Sequence, residues 1–276
     1  MLKQRIITAL VLIPVVIAGI FLLSPPQFAL FAGLVFVASS WEWSNLSGLH
    51  AKPYKMTYAV ILAALMLILF NLTQNNSFII PYIFYVTACL WVGVLFWLML
   101  YEKGKARKNS GLILNLLIGI IVLCVPFLGF IVLKNSITNA AEMILYLIVL
   151  VWVADSAAYF SGRKWGRHKL APAVSPGKSI EGVIGALVGT GLTAYLVGSY
   201  FNYDGSQFVL FITISLISVV FSVAGDLFES MLKRQTGIKD SGSLLPGHGG
   251  LLDRIDSLTA AVPVYVTGLY LTGFMS

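Results

Sequence analysis

Charge is what this sequence has least of. Asp, Glu, Lys and Arg make up 11% of its 276 residues, where soluble domains carry about 25%. Cysteine is nearly absent as well. Cys89 and Cys124 both sit inside apolar runs, which argues against a disulfide framework or a cysteine metal site. There is no tandem repeat, no low-complexity tract and no heptad run. No polar stretch is long enough to fold as a separate soluble domain, so residues 1–276 read as a single membrane domain. The start, Met1 to Arg5 followed by an apolar run, lacks a small-residue cleavage site leading into a polar mature domain. It reads as a retained first span rather than a signal peptide.

What the chain does have is apolar runs along its whole length, 58% of it being hydrophobic. They define an all-α, polytopic membrane protein of about nine spans, each near the roughly 20 residues needed to cross the hydrocarbon. The expected spans are 6–23, 28–43, 56–72, 78–100, 112–133, 141–160, 180–201, 208–228 and 255–274. The runs are continuous rather than alternating, which selects helices over barrel strands. All the basic residues except Lys134 fall in every second connection. Basic residues favour the cytoplasm, so the N-terminus is expected inside and the C-terminus outside. Residues 1–140 supply N-terminal helices, and 141–276 carry the two long polar cytoplasmic loops, near 161–179 and 229–254.

Those loops hold the chemistry. The second contains Lys233, Arg234, Lys239 and Asp240, the turn Pro246-Gly247-His248-Gly249-Gly250, then Asp253, Arg254 and Asp256. Its glycines let backbone N–H groups approach an anion, and the basic side chains bring positive charge. Asp253 and Asp256, three apart, are expected on one face at the start of the last helix. Asp226 lies near the end of the preceding span and Asp155 near the end of the sixth. Ionisable groups in apolar spans are costly and point to function. Carboxylates beside basic residues suit Mg²⁺ shared with phosphates. The plainer readings are that Asp256 caps a helix, that Lys and Arg only set topology, and that His248 is a bystander.

The first loop carries Ser175-Pro176-Gly177-Lys178-Ser179. A Walker loop would need glycine at position 172, which is Pro172, so that assignment is excluded. The segment still opens a helix with a Pro-Gly turn beside Lys178, a good anion site. The alternative is ordinary capping by Ser175 or Ser179.

Ser230 to Asp256 resembles the signature of the phosphatidate cytidylyltransferases, or CDP-diacylglycerol synthases. The shared positions are Ser230, Lys233, Arg234, Lys239, Asp240, Pro246, His248, Gly249, Gly250, Asp253, Arg254 and Asp256. The Ser175–Gly182 segment and the Asp155 helix end are similar too, so the resemblance covers roughly residues 150–260. It implies transfer of CMP from CTP to phosphatidic acid among membrane lipids, in phospholipid biosynthesis. It further implies Mg²⁺, with K⁺ as a possible helper, a homodimer and no nucleic-acid partner. A bacterial inner membrane fits the compact chain. On this resemblance Asp226, Asp253, Lys233 and Arg254 are catalytic. Lys178, Ser175, Ser179, Lys239, Asp240, His248, Gly249 and Gly250 bind substrate, and Asp226, Asp253 and Asp256 hold the metal. The main rival is a CTP-dependent lipid kinase of the dolichol kinase kind. A CDP-alcohol phosphotransferase would need an Asp-Gly-x-x-Ala-Arg segment that is absent, and a transporter would carry its polar groups near the midplane.

Overall fold

The computed structural model describes residues 2–75, 78–104, 111–136, 139–238, 240–242, 244, 247 and 249–275, without the side chains of residues 2–7 and 136. Among them are nine α-helices: α1 (Leu2–Leu22), α2 (Pro25–Leu46), α3 (Lys52–Gln74), α4 (Ile79–Glu102), α5 (Leu112–Ser136), α6 (Ala140–Trp165), α7 (Ile180–Tyr200), α8 (Gly205–Thr236) and α9 (Asp256–Leu271). A two-stranded antiparallel hairpin, β1 (Lys169–Ala171) and β2 (Ser175–Ser179), lies between α6 and α7. Six of these helices, α3 to α8, are long and apolar enough to cross a membrane. The other three expected spans form helices that do not meet that measure. In α1 the described side chains begin at Thr8, which leaves Thr8–Leu22 as the described apolar stretch. The second half of α2 turns polar at Ser39, Ser40, Glu42 and Ser44, and α9 has only 16 residues.

The residues form two compact units, each drawing on both sides of residue 140. One comprises residues 1–80, 109–145 and 232–256; the other comprises 81–108, 146–231 and 257–276. In the first unit α5 is largely buried, and α2 and α3 pack on it. Gly119 makes the close approach possible, since a Cβ there would stand 2.1 Å from Trp43 Nε1. Trp43 Nε1 donates to the Asn115 carbonyl at 2.9 Å, and the Tyr58 hydroxyl donates to that of Leu116 at 2.9 Å. These bonds matter because a polar group inside an apolar bundle is costly when unpaired. In the second unit Tyr146 stacks on Phe211 and its hydroxyl meets Ser215 Oγ at 2.6 Å. Thr267 donates to the Phe84 carbonyl, tying α9 to α4. Leu30, Leu67, Phe96, Val188 and Leu192 are among many large apolar side chains left exposed, as a lipid-facing surface requires.

Three local expectations change. The segment 161–179 is not one loop: α6 runs on to Trp165, and the rest forms the hairpin. Arg163 and Lys164 lie in the last turn of α6, where cations complement the helix dipole. Likewise α8 continues through Lys233 and Arg234 to Thr236, because Met231 and Leu232 are buried and keep that end packed after the apolar run stops. Finally, Asp253 does not open the last helix. It lies in a separate 3-10 turn, Leu252–Arg254, and α9 starts at Asp256. The shared-face argument for Asp253 and Asp256 therefore loses its continuous helix.

Candidate active site

In the second unit, β2 delivers Lys178 to Asp226 in the body of α8. Lys178 Nζ stands 2.7 Å from Asp226 Oδ2, and both side chains are about a quarter exposed, at 27% and 29%. Ser230, one turn further along α8, donates its hydroxyl to Asp226 Oδ1 at 3.3 Å. Asp155, exposed on α6, is close enough to interact electrostatically with both Asp226 and Lys178. Asp226 thus pairs with the ammonium group at a partly exposed surface, and Asp155 lies within its electrostatic reach.

The hairpin that carries Lys178 is held at both ends. At its tip the Glu102 carboxylate, from the end of α4, accepts the N–H groups of Ala173 and Val174 at 3.1 and 3.0 Å. At its base Glu181 meets His168 Nδ1 at 2.7 Å and accepts the His168 N–H. Ser179 is the cap of α7: its Oγ accepts the Gly182 N–H at 3.1 Å. The capping alternative therefore holds for Ser179, which is buried. Ser175 lies on β2, half-buried, and pairs with Ala171. Pro176 and Gly177 are exposed, and nothing lies within 4 Å of a Cβ built at Gly177, so the turn beside Lys178 has room for an anion.

In the first unit, Asp253 organises the loop before it. Its Oδ1 accepts Lys233 Nζ at 2.8 Å, its Oδ2 accepts the Gly250 N–H at 2.9 Å, and the Ser241 N–H reaches both oxygens at 3.2 and 3.3 Å. Hydrogen bonds to a charged group contribute about 1.5–3 kcal/mol each, so this carboxylate staples Ser241, Gly250 and the end of α8 together. Gly249 has φ +82°, a conformation that glycine adopts without strain. The Gly250 N–H is engaged with Asp253 and is not presented to a phosphate. Asp240 and Arg254 are exposed, and Asp256 is the first residue of α9. Lys239 and His248 lie outside the described residues.

Two carboxylates outside the expected site residues hold these loops. Glu42 of α2 accepts the Leu252 N–H at 2.8 Å and the Ser241 hydroxyl at 3.3 Å. A charge inside an apolar run was its available signal. Glu102 had none, because its partners are 71 and 72 residues away. Glu229, at the edge of the loop expected near 229–254, is buried within α8.

The donor chemistry suits Mg²⁺. Asp226 and Asp155 offer hard oxygen ligands beside a cation that an incoming metal would replace. Among the described residues no three His, Cys, Asp or Glu side chains are gathered as a metal site. Mg²⁺ commonly takes only one or two carboxylates and completes its shell with phosphate and water.

Apolar helices of membrane-crossing length that carry the Lys178–Asp226 pair in one unit and the Lys233–Asp253 pair in the other fit an integral membrane enzyme that handles anionic substrates. The comparisons give the family. The model of the cytidylyltransferase family matches residues 3–272. A phosphatidate cytidylyltransferase of Pseudomonas aeruginosa is 42% identical over 274 residues, covering 99% of each chain. One from Haemophilus influenzae is 39% identical, covering 96% of this chain and 97% of the relative. One from Staphylococcus haemolyticus is 30% identical, covering 95% and 97%. The chain belongs to the cytidylyltransferase family.

Proposed function

We propose that this chain transfers CMP from CTP to phosphatidic acid, giving CDP-diacylglycerol and pyrophosphate, with Asp226, Asp253, Lys178, Lys233 and Arg254 acting on the phosphates. The observation that carries the activity is the near full-length identity to phosphatidate cytidylyltransferases. The assignment of residues is supported by the Lys178–Asp226 and Lys233–Asp253 pairs.

In this reading a phosphate oxygen of phosphatidic acid attacks the α-phosphorus of CTP. The bond from that phosphorus to the β-phosphate oxygen breaks, and pyrophosphate leaves with the electron pair. A phosphomonoester is largely dianionic at pH 7, so no side chain has to remove a proton. What remains for the protein is positioning and charge neutralisation, the main requirements of phosphoryl-type transfer. Lys178 and the open Pro176-Gly177 turn receive nucleotide phosphates; Lys233 and Arg254 offset charge as two anions approach. Asp226, with Asp155 beside it, would hold Mg²⁺; Asp253 and Asp256, in the other unit, are further candidates taken from the resemblance. When bound, that ion lowers the repulsion between triphosphate and lipid phosphate. K⁺ remains a family-based candidate for the same centre.

The same reading places the site on the cytoplasmic side of a bacterial inner membrane, on the distribution of basic residues and the bacterial relatives. It keeps nine spans, with α1, α2 and α9 completing the count, and a homodimer. Headgroup depth suits the reaction: phosphatidic acid leaves the bilayer only at about 0.8 kcal/mol per CH₂. The test is metal removal. A chelator is expected to stop CDP-diacylglycerol formation by purified protein, and Mg²⁺ to restore it. Undiminished turnover in chelator would contradict the metal assignment.

A further inference from the structure

Glu42 is a buried carboxylate that the reaction as drawn does not use. It is 1% exposed, on α2. Its Oε2 accepts the Leu252 N–H and the Ser241 hydroxyl, while Oε1 has no hydrogen-bond partner among the described residues. That oxygen faces glycine: a Cβ at Gly242 would lie 2.2 Å from Oε1, and one at Gly250 would lie 2.7 Å from Oε2 and 2.1 Å from Ser241 Oγ. The loop thus closes around the carboxylate with no room for a side chain at either position. Stability alone does not call for such a group, since a well-packed apolar side chain of similar volume often serves a core as well as a buried charge.

The contacts of Glu42 interlock with those of Asp253. Ser241 is common to both: its N–H goes to Asp253 and its hydroxyl to Glu42. Leu252, which Glu42 holds at 2.8 Å, is the residue directly before Asp253. Gly250, whose N–H binds Asp253, fits only because it has no Cβ beside Glu42. We infer that Glu42 is the positioning residue for Asp253: it grips the loop at Ser241 and Leu252 and thereby fixes where the Asp253 carboxylate points. This inference rests on Asp253 taking part in the reaction.

The test compares Glu42→Leu, Glu42→Gln and Asp253→Asn in full-length protein purified in detergent, reading kcat, KM for each substrate and the melting temperature. Removing a group that orients a site residue typically costs 10- to 100-fold. Glu42→Leu is expected to lower kcat by about that factor, with KM for phosphatidic acid unchanged; the orphaned Leu252 N–H and Ser241 hydroxyl lower the melting temperature, to a point still above the assay temperature. Glu42→Gln, whose amide oxygen still accepts the Leu252 N–H, is expected to recover most of the lost kcat. Full kcat in Glu42→Leu, a Gln variant as impaired as Leu, or a kcat that returns to the wild-type value when the assay is run well below the variant's melting temperature overturns the inference. Should Glu42→Leu not fold, Glu42→Asp takes its place, keeping the charge but withdrawing it by one methylene, with the same expected loss of kcat. Asp253→Asn separates the two levels. If it is fully active, the underlying role of Asp253 falls. If it is inactive while Glu42→Leu is fully active, only the inference about Glu42 falls.

Discussion

Asp253→Asn is expected to lower turnover by about 10³-fold or more while the protein remains folded in detergent. Asp253 is mostly buried, 11% exposed, and its two oxygens take Lys233 Nζ and the N–H groups of Ser241 and Gly250. An amide in its place keeps one acceptor and turns a donor toward groups that are themselves donors. The negative charge that holds Lys233 is lost, and the loop closure loosens with it. Both consequences bear on the reaction, because Lys233 is proposed to face the phosphates and Asp253 is a candidate metal ligand. The fold should survive, since α8 and α9 are anchored by buried apolar side chains such as Phe228, Met231, Ala260 and Tyr265. The measurement is CDP-diacylglycerol formation by a monodisperse variant melting near the wild type. Retained activity would leave Asp253 as a loop staple only.

Asp226→Asn is expected to cost a similar factor, about 10³-fold, and Lys178→Met about 10²-fold, expressed mainly in kcat/KM for CTP. The two side chains form a 2.7 Å ion pair at a partly open surface. Exposed pairs contribute little to stability, typically about 0–1 kcal/mol, so the pair is poorly explained as a structural device. The proposed function accounts for it instead: Lys178 is assigned to nucleotide phosphate and Asp226 to the metal. The difference between the two variants follows from that. In the proposed function, losing Asp226 removes a metal ligand, whereas losing Lys178 removes one phosphate contact among several. Steady-state kinetics on both variants, with the melting temperature as a control for folding, checks the order of effects. A Lys178→Met variant with unchanged kcat/KM for CTP would remove the hairpin from the nucleotide site.

Much of this architecture could be read from the chain because lipid imposes a one-dimensional pattern. A helix needs an apolar run and charge gathers between runs, so the nine α-helices among the described residues fall where hydropathy rises. The pattern failed where packing, rather than lipid, decides the structure. α8 outlasts its apolar run by two turns because Met231 and Leu232 are buried, and burial of two residues leaves no periodic trace. The hairpin forms in a Pro- and Gly-rich stretch too short to alternate, pinned by a carboxylate 71 residues away. In the site, the residue types were legible but the pairings were not. Lys178 and Asp226 each stood out as a charge, yet nothing local said that they would meet. Asp253 looked like the start of an apolar helix; the N–H groups of Ser241 and Gly250 draw it instead into a separate turn. Glu42 was a readable signal, a carboxylate amid Trp41, Trp43 and serines, but its partners lie about 200 residues on.

The central claim is that the α-phosphoryl group of CTP ends in the lipid. Purified protein given phosphatidic acid, Mg²⁺ and CTP labelled with ³²P at either the α or the γ position tests it directly. The α-label is expected in the solvent-extracted lipid, and the γ-label in released pyrophosphate. Label from the γ position in the lipid, with none from the α position, would make the chain a CTP-dependent lipid kinase and contradict the account.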